Sequence, residues 1–436
     1  MTTASHPTSH DSAALSALDA DILAFIQSED PDPATFDALA LRLFAHQFEA
    51  NPAYQRYCRS RKATPDRVRH WSEIPAVPLT AFKRLTLTTV PERDAAAVFM
   101  TSGSTDPASR GRNHHRHLAL YDASLLRSFR DRFLPEQTGL ADDTAGGRDR
   151  MRIVVLNAPR EQSPHSSIAH FFSTLVEHRG TPDSLHLVSD DGLDVDTALN
   201  AFAQAEHSGK PLAVLGTSFS FVHLLDAMAD VDRTFRLPAG SRVLDTGGFK
   251  GKSREVTAED LRQAFRVRLG VPEGHCANYY GMTEISTQYY DRTPLGTGPA
   301  DRAHATPATD SDASTAATTA PAGDDAPGER AKVVPHWARL IVVDPLTRAP
   351  VPHGEPGLLL HLDLANASSC LAVLSDDIGW AVGSDPTARA HTSPGLGTAD
   401  VVLRGRAAGA EARGCSLALD EVLSANRTPA VPPSRP

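Results

Sequence analysis

Cysteine is scarce in this 436-residue chain, and its four cysteines, Cys58, Cys276, Cys370 and Cys415, stand far apart without the spacing of metal ligands. Reduced thiols in a cytoplasmic protein are therefore the expectation. A basic stripe is missing too. The formal net charge is -10, which argues against a nucleic-acid partner. No apolar run approaches membrane-spanning length; Leu358-Leu359-Leu360 is soon broken by His361 and Asp363, so the chain is expected not to span a membrane. Residues Met1 to Ser12 hold no basic region followed by an apolar core, so no signal peptide is expected. Between Gly296 and Lys332 there is no Val, Leu, Ile, Met or aromatic residue. Such a segment cannot bury enough surface to order itself, which predicts a disordered insertion over 296–332.

An apolar fraction of 41% and a charged fraction of 22% suit a soluble protein with a proper core. The length fits two domains, or one large domain with an appendage. Residues 1–11 are polar and read as a disordered N-terminus. Leu15, Leu18, Ile22 and Ile26, and then Phe36, Leu39, Leu43 and Phe48, recur at helical spacing. Another helical stretch falls near Tyr121–Phe133. Strand-like apolar runs follow at Ile153–Leu156, Leu185–Val188, Leu212–Leu215, Val243–Leu244 and Ala277–Tyr280. Helical patterns at Ile168–Val176, Val195–Ala205, Phe219–Met228 and Leu261–Leu269 fill most of the gaps. That alternation predicts an α/β fold with a mainly parallel sheet and helices on both faces. Ligands of such sheets sit at loops off the carboxyl ends of strands.

Four short motifs fall at such places. In Phe99-Met100-Thr101-Ser102-Gly103-Ser104-Thr105 two large apolar residues run into small hydroxyl residues. Hydroxyls and sterically free N–H groups suit a loop that wraps a polyphosphate, although a plain Ser/Thr-rich surface turn has the same composition. In Tyr279-Tyr280-Gly281-Met282-Thr283-Glu284 a glycine after an apolar strand sets a hydroxyl and a carboxylate at the strand end, where Glu284 suits a magnesium ion. Alone it is equally an ordinary strand-end turn. Thr246-Gly247-Gly248-Phe249-Lys250-Gly251-Lys252 permits close approach of a flat ring or phosphate, or is a solvated Gly/Lys turn. Ser375-Asp376-Asp377-Ile378-Gly379 carries a carboxylate suited to paired ribose hydroxyls and otherwise reads as an acidic turn. The histidines His114, His115 and His117 read as a solvated polar turn rather than a metal site.

Taken in order with Arg404-Gly405-Arg406, these motifs resemble the adenylate-forming enzymes, the superfamily of acyl-CoA ligases, nonribosomal adenylation domains and luciferase-type proteins. Within it the chain resembles the LuxE-type acyl-protein synthetases, relatives of phenylacetate-CoA ligases, over about Trp71 to Leu423. Ile74-Pro75, Pro78, Phe82-Lys83, Gly216-Thr217-Ser218-Phe219 and the run Gly409-Ala410-Glu411-Ala412-Arg413-Gly414-Cys415-Ser416-Leu417 also carry the likeness. The resemblance implies an enzyme that uses ATP and Mg2+ to turn a carboxylic acid, fatty or aromatic, into an acyl-adenylate. It further implies transfer of the acyl group to a cysteine thiol and delivery to a partner reductase. By motif match Thr101, Ser102, Gly103, Ser104 and Thr105 hold phosphates, and Gly247 and Gly248 approach the adenine. Tyr280 and Gly281 flank the nucleotide, Thr283 contacts the α-phosphate, Glu284 binds the metal, and Asp377 and Arg406 hold the ribose. Cys415 is the candidate acyl acceptor, with Arg413 favouring its thiolate; a buried structural cysteine is the alternative.

The chain departs from the superfamily in two respects. Asp106 follows Thr105 where a glycine is usual, and the nearby cations are Arg110 and Arg112. The chain ends soon after Leu423, before any C-terminal domain with its carboxylate-contacting lysine, so Lys250 and Lys252 are candidates for that cation by residue type only. The expected organisation is one adenylate-forming domain over 12–403, a short segment over 404–423 carrying Cys415, and a disordered tail over 424–436. Transfer to coenzyme A or a carrier protein, and a catalytically idle nucleotide-binding regulatory subunit, are the competing readings.

Overall fold

The computed structural model describes residues 16–102, 110–136, 150–247, 254, 256–293, 295, 330–382, 400–406 and 419–426. Its centre is a six-stranded sheet ordered Tyr289–Tyr290, Cys276–Tyr280, Arg242–Thr246, Leu212–Thr217, Arg152–Leu156, Leu185–His186. All neighbours run parallel except the antiparallel Tyr289–Tyr290 edge. Side chains alternate across a strand, so the runs of Val, Ile and Leu feed two cores at once. Val154, Leu156, Val214 and Val243 face a cluster completed by Phe221 and Phe265. Ile153, Val155, Leu215 and Leu244 face another with Phe99, Phe129, Phe171 and Phe172. Burial on both faces is why these strands read as unbroken apolar runs.

The crossovers are the expected helices, lengthened to Ser167–Arg179, Val195–Ser208, Ser218–Asp230 and Ala258–Leu269. The last is capped by the Thr257 hydroxyl, which accepts from Asp260 N, and stops at Gly270 with φ +71°. A left-handed residue there satisfies the end carbonyls at no Cβ penalty. Phe171, Phe172 and Phe221 are buried core residues.

A second, mixed five-stranded sheet joins Ala338–Val343, Gly357–Asp363, Ala372–Val382, Val77–Pro78 and Asp400–Arg406. The N-terminal helices Ala17–Gln27, Pro33–Ala50 and Pro52–Ser60 lie against it and share its core, in which Phe36, Phe44, Tyr54 and Trp337 are buried. Among the described residues no helix is long and apolar enough to cross a membrane.

Three expectations change. Ser375–Gly379 is no acidic turn: it lies inside the Ala372–Val382 strand, with an irregularity of pairing between Ile378 and Gly379. The insertion ends before residue 332, because Lys332 bridges to both Asp291 and Val401, and its Nζ donates to Asp291 Oδ1 at 2.7 Å and Asn278 Oδ1 at 2.6 Å. The tail does not begin at 424: residues 419–425 are helical and Asn426 Nδ2 donates to Ala53 O and Val422 O.

Candidate active site

Three neighbouring parallel strands end side by side at Thr217, Thr246 and Tyr280. After Thr246 the chain turns at Gly247, whose φ of +74° suits glycine. Buried Ser218 fixes this turn by donating to Gly247 O at 2.9 Å and to Asp245 Oδ2 at 2.8 Å. Asn278 Nδ2 donates to the same Asp245 oxygen at 2.8 Å. Polar side chains thus hold the strand ends in register while their backbone faces the cleft.

Thr101 and Ser102, the start of the hydroxyl-rich stretch, border the same cleft. Strand Ala97–Met100 pairs with Arg112–His115, and Thr101 closes the loop twice: its N–H donates to Gly111 O and its Oγ1 accepts from Gly111 N, both at 2.9 Å. Gly111 marks where three site residues converge. A β-carbon placed there would lie 3.1 Å from Thr101 Cγ2, 3.5 Å from Glu284 Oε1 and 3.5 Å from Lys83 Cγ.

The stretch that carries Thr283 and Glu284 is clamped from beneath. Asn113 Nδ2 donates to Thr283 O at 2.9 Å, and Asn366 Nδ2 donates to Glu284 O at 2.8 Å. Asp363 accepts from Ser286 N and Thr287 N at 2.8 Å and from Thr287 Oγ1 at 2.7 Å. Glu284 is 3% exposed. Burial pushes its carboxyl up to about 7, against the pull of Lys83 and Arg406. A buried carboxyl whose charged form is penalised by desolvation favours a further cation beside it. Magnesium takes hard oxygen ligands, commonly one or two carboxylates plus phosphate oxygens, and Glu284 fits that requirement.

From the second sheet, Asp377 and Arg406 stand directly opposite each other, with Arg406 Nε 3.8 Å from Asp377 Oδ1. Tyr280 Oη donates to Asp377 Oδ2 at 2.7 Å, and the Tyr280 ring stacks on His361 with centroids 5.8 Å apart. Two adjoining hollows, of about 170 and 750 Å³, both border on Thr101, Ser102, Gly247, Gly281, Asp377 and Arg406. Thr283 and Glu284 border the smaller, and Tyr280 the larger. Residues picked from five separate motifs therefore meet at one cleft. Gly103, Ser104, Thr105, Gly248, Lys250, Lys252 and Cys415 lie outside the described residues.

Lys83 is the residue that motif reading missed. It ends the short helix Leu79–Lys83 after the Val77–Pro78 strand and borders both hollows. The Phe82-Lys83 pair carried the resemblance, but nothing local marks its lysine as a site cation; only the pairing of Val77 with Val373 brings it to the strand of Asp377. The histidines differ from expectation. His114 and His115 are buried in a strand, and His115 packs against Phe99 and Tyr121 with centroids 5.0 and 5.6 Å apart. Burial pushes the His115 imidazole down to about 3, so it is a neutral core group, as its aromatic neighbours demand.

Comparison with known proteins bears on the family and the fold. Residues 8–288 match the family model "Acyl-protein synthetase, LuxE". The chain is 21% identical over 386 residues to the long-chain-fatty-acid–luciferin-component ligase of Vibrio harveyi, covering 88% of this chain and 86% of that one. It is 21% identical over 347 residues to the ligase of the same name from Aliivibrio fischeri, covering 79% and 78%. Its fold resembles 2-hydroxyisobutyryl-CoA ligase in the postadenylation state, with a TM-score of 0.53 at 14% identity over 85% of this chain and 67% of that one. The chain therefore belongs to the LuxE family of acyl-protein synthetases and is a ligase.

Proposed function

We propose that this ligase activates a fatty acid with ATP and passes the acyl group to its own Cys415. The observation that carries the reading is the convergence of Thr101, Lys83, Glu284 and the Asp377–Arg406 pair on one cleft. In the first step a carboxylate oxygen attacks the α-phosphorus of ATP, the bond to the β-phosphate oxygen breaks, and pyrophosphate leaves. Such chemistry needs positioned charge more than proton transfer. Thr101 and Ser102 begin the phosphate loop, Thr283 faces the α-phosphate, and Asp377, fixed by Tyr280, faces the ribose with Arg406. Lys83 supplies the cation for the carboxylate and α-phosphate, the role for which Lys250 and Lys252 were candidates by type. Mg2+, bound at Glu284, would neutralise phosphate oxygens. In the second step the Cys415 thiolate attacks the acyl carbon, AMP leaves, and the thiol proton passes to solvent; a partner reductase then takes the acyl group.

The test is intact-protein mass after incubation with ATP, Mg2+ and a panel of fatty and aromatic acids, with Cys415→Ser in parallel. An acyl-sized gain that is labile to hydroxylamine and absent from Cys415→Ser is the expected result. Acid-dependent pyrophosphate release without an adduct would move the acceptor to an external thiol such as coenzyme A. Nucleotide binding with no release for any acid would favour the idle regulatory reading and refute this one.

A further inference from the structure

Gln288 borders the smaller hollow of the active site, and it also borders a second cavity of about 320 Å³. The helix Ala119–Phe133 runs along both: Tyr121 borders the site hollow and Ser128 the second cavity. Seven helical residues put those two positions about 10 Å apart. Gln288 itself is buried on this wall; its Nε2 donates to Ser286 O at 3.0 Å, and its side chain also hydrogen-bonds with that of Tyr121. A side chain held by two such bonds can still turn aside more readily than the backbone around it.

The second cavity is amphiphilic. Phe25, Val333, Val334 and Trp337 give it apolar walls. Arg127, which also borders it, is already satisfied by Asp131 and by the carbonyls of Ile26 and Ser28. Two hydroxyls are not. Ser128 Oγ and Tyr290 Oη are buried and have no hydrogen-bond partner among the described residues. Proteins keep few buried hydroxyls unpaired, because each loses its hydration without compensation. A plain hydrocarbon would leave both unpaired; a chain with a hydrogen-bonding group at its far end would not.

We propose that the second cavity receives the far end of the acid, whose chain passes Gln288, and that the preferred substrates are long-chain acids bearing a distal hydroxyl or carbonyl group. The proposal rests on the acid-activating reading above. With the carboxylate at Lys83 and Thr283, Tyr121 and Gln288 flank the middle of the chain, and Ser128 and Tyr290 meet its polar end.

The test measures ATP-dependent pyrophosphate release with octanoic, dodecanoic and 12-hydroxydodecanoic acids. In the wild-type protein kcat/KM for the hydroxy acid should exceed that for dodecanoic acid by about three- to tenfold, the net worth of one hydrogen bond. Combining Ser128→Ala with Tyr290→Phe should bring that ratio close to one. Val334→Trp, which fills the cavity, should cut the ratio of dodecanoic to octanoic kcat/KM by about tenfold or more, as overpacking at a filled site does. Ser128→Leu gives the same readout should the tryptophan variant fail to fold. Equal turnover of the two long acids by the wild-type protein, or an unmoved chain-length ratio in both filling variants, overturns the proposal and leaves acid activation intact. No release with any acid overturns both.

Discussion

Replacing Lys83 by methionine tests the active-site reading at the residue that motif spacing did not mark. Methionine keeps most of the aliphatic stem beside Gly111 and removes only the charge. The ammonium acts on Glu284, whose carboxyl it pulls down, and the Lys83 stem lies near Thr101 across the Gly111 gap. It stands at the rim of the cleft, so in the free protein solvent screens it and little folding stability depends on it. On the proposed reading, once nucleotide and acid exclude water the same charge would face the phosphate and carboxylate oxygens at low dielectric. Loss of one preorganised group of this kind costs about 10²–10³-fold in kcat, roughly 3–4 kcal/mol. We expect single-turnover pyrophosphate release at saturating ATP and acid to fall by that factor, with a smaller change in nucleotide affinity. Lys83→Arg should recover part of the rate, since it restores charge on a different geometry. A methionine variant within about threefold of the wild-type rate, far less than one such group is worth, would refute the assignment and return Lys250 and Lys252 to consideration.

Two further outcomes follow from single contacts. Tyr280→Phe removes the hydrogen bond to Asp377 Oδ2, so the carboxylate loses its fixed direction; a bond to a charged group is worth about 1.5–3 kcal/mol. Calorimetric titration with a nonhydrolysable ATP analogue should show an affinity loss of about tenfold or more on that scale, and an unchanged affinity would mean that Asp377 does not hold the nucleotide. The second concerns acid stability. His115 and His361 are fully buried and burial pushes both down to about 3, from an ordinary 6.5. A lowered folded-state value means that the unfolded chain binds the extra proton. Stability is therefore full above about pH 6.5 and falls as the pH drops towards 3, roughly tenfold in the folding equilibrium per pH unit for each histidine. Denaturant midpoints between pH 6.5 and 4 should fall less steeply for His361→Phe than for the wild-type protein, and parallel slopes would count against a neutral buried His361.

The central sheet was legible in the chain because both its faces are buried. Val154 and Val155 point into different cores, so the run has no polar breaks, and caps such as Thr257 and Gly270 mark helix ends locally. Glycine turns were legible for the same reason: Gly247 needs its own positive φ, and that requirement is written in one residue. The polar interior was not. Asp377 sits in a strand, and Ser375-Asp376-Asp377 reads as a turn unless Arg406 and Tyr280 are known to face it. His114 and His115 read as solvated because residue type says nothing of Phe99 and Tyr121 packed against them.

What escaped detection has one physical form, a contact between residues far apart in the chain. The clamp on the Thr283–Thr287 stretch joins it to Asp363 and Asn366, 76 to 82 residues away, and to Asn113, 170 residues away. None of these three belongs to a local pattern, yet together they decide where Glu284 points. They also make the two halves of the site unequal. The backbone of Thr283 and Glu284 is tied by hydrogen bonds to Asn113 of the loop strand and to Asn366, just past the Gly357–Asp363 strand of the second sheet, whereas Arg406 keeps 76% of its side chain exposed and Lys83 is exposed at the rim. Preorganised groups contribute most where charge develops, because they need not move as it does. On the proposed reading the rigid side is therefore the one that would meet the α-phosphate, and the exposed cations are the part of the cleft that substrate binding would have to gather in.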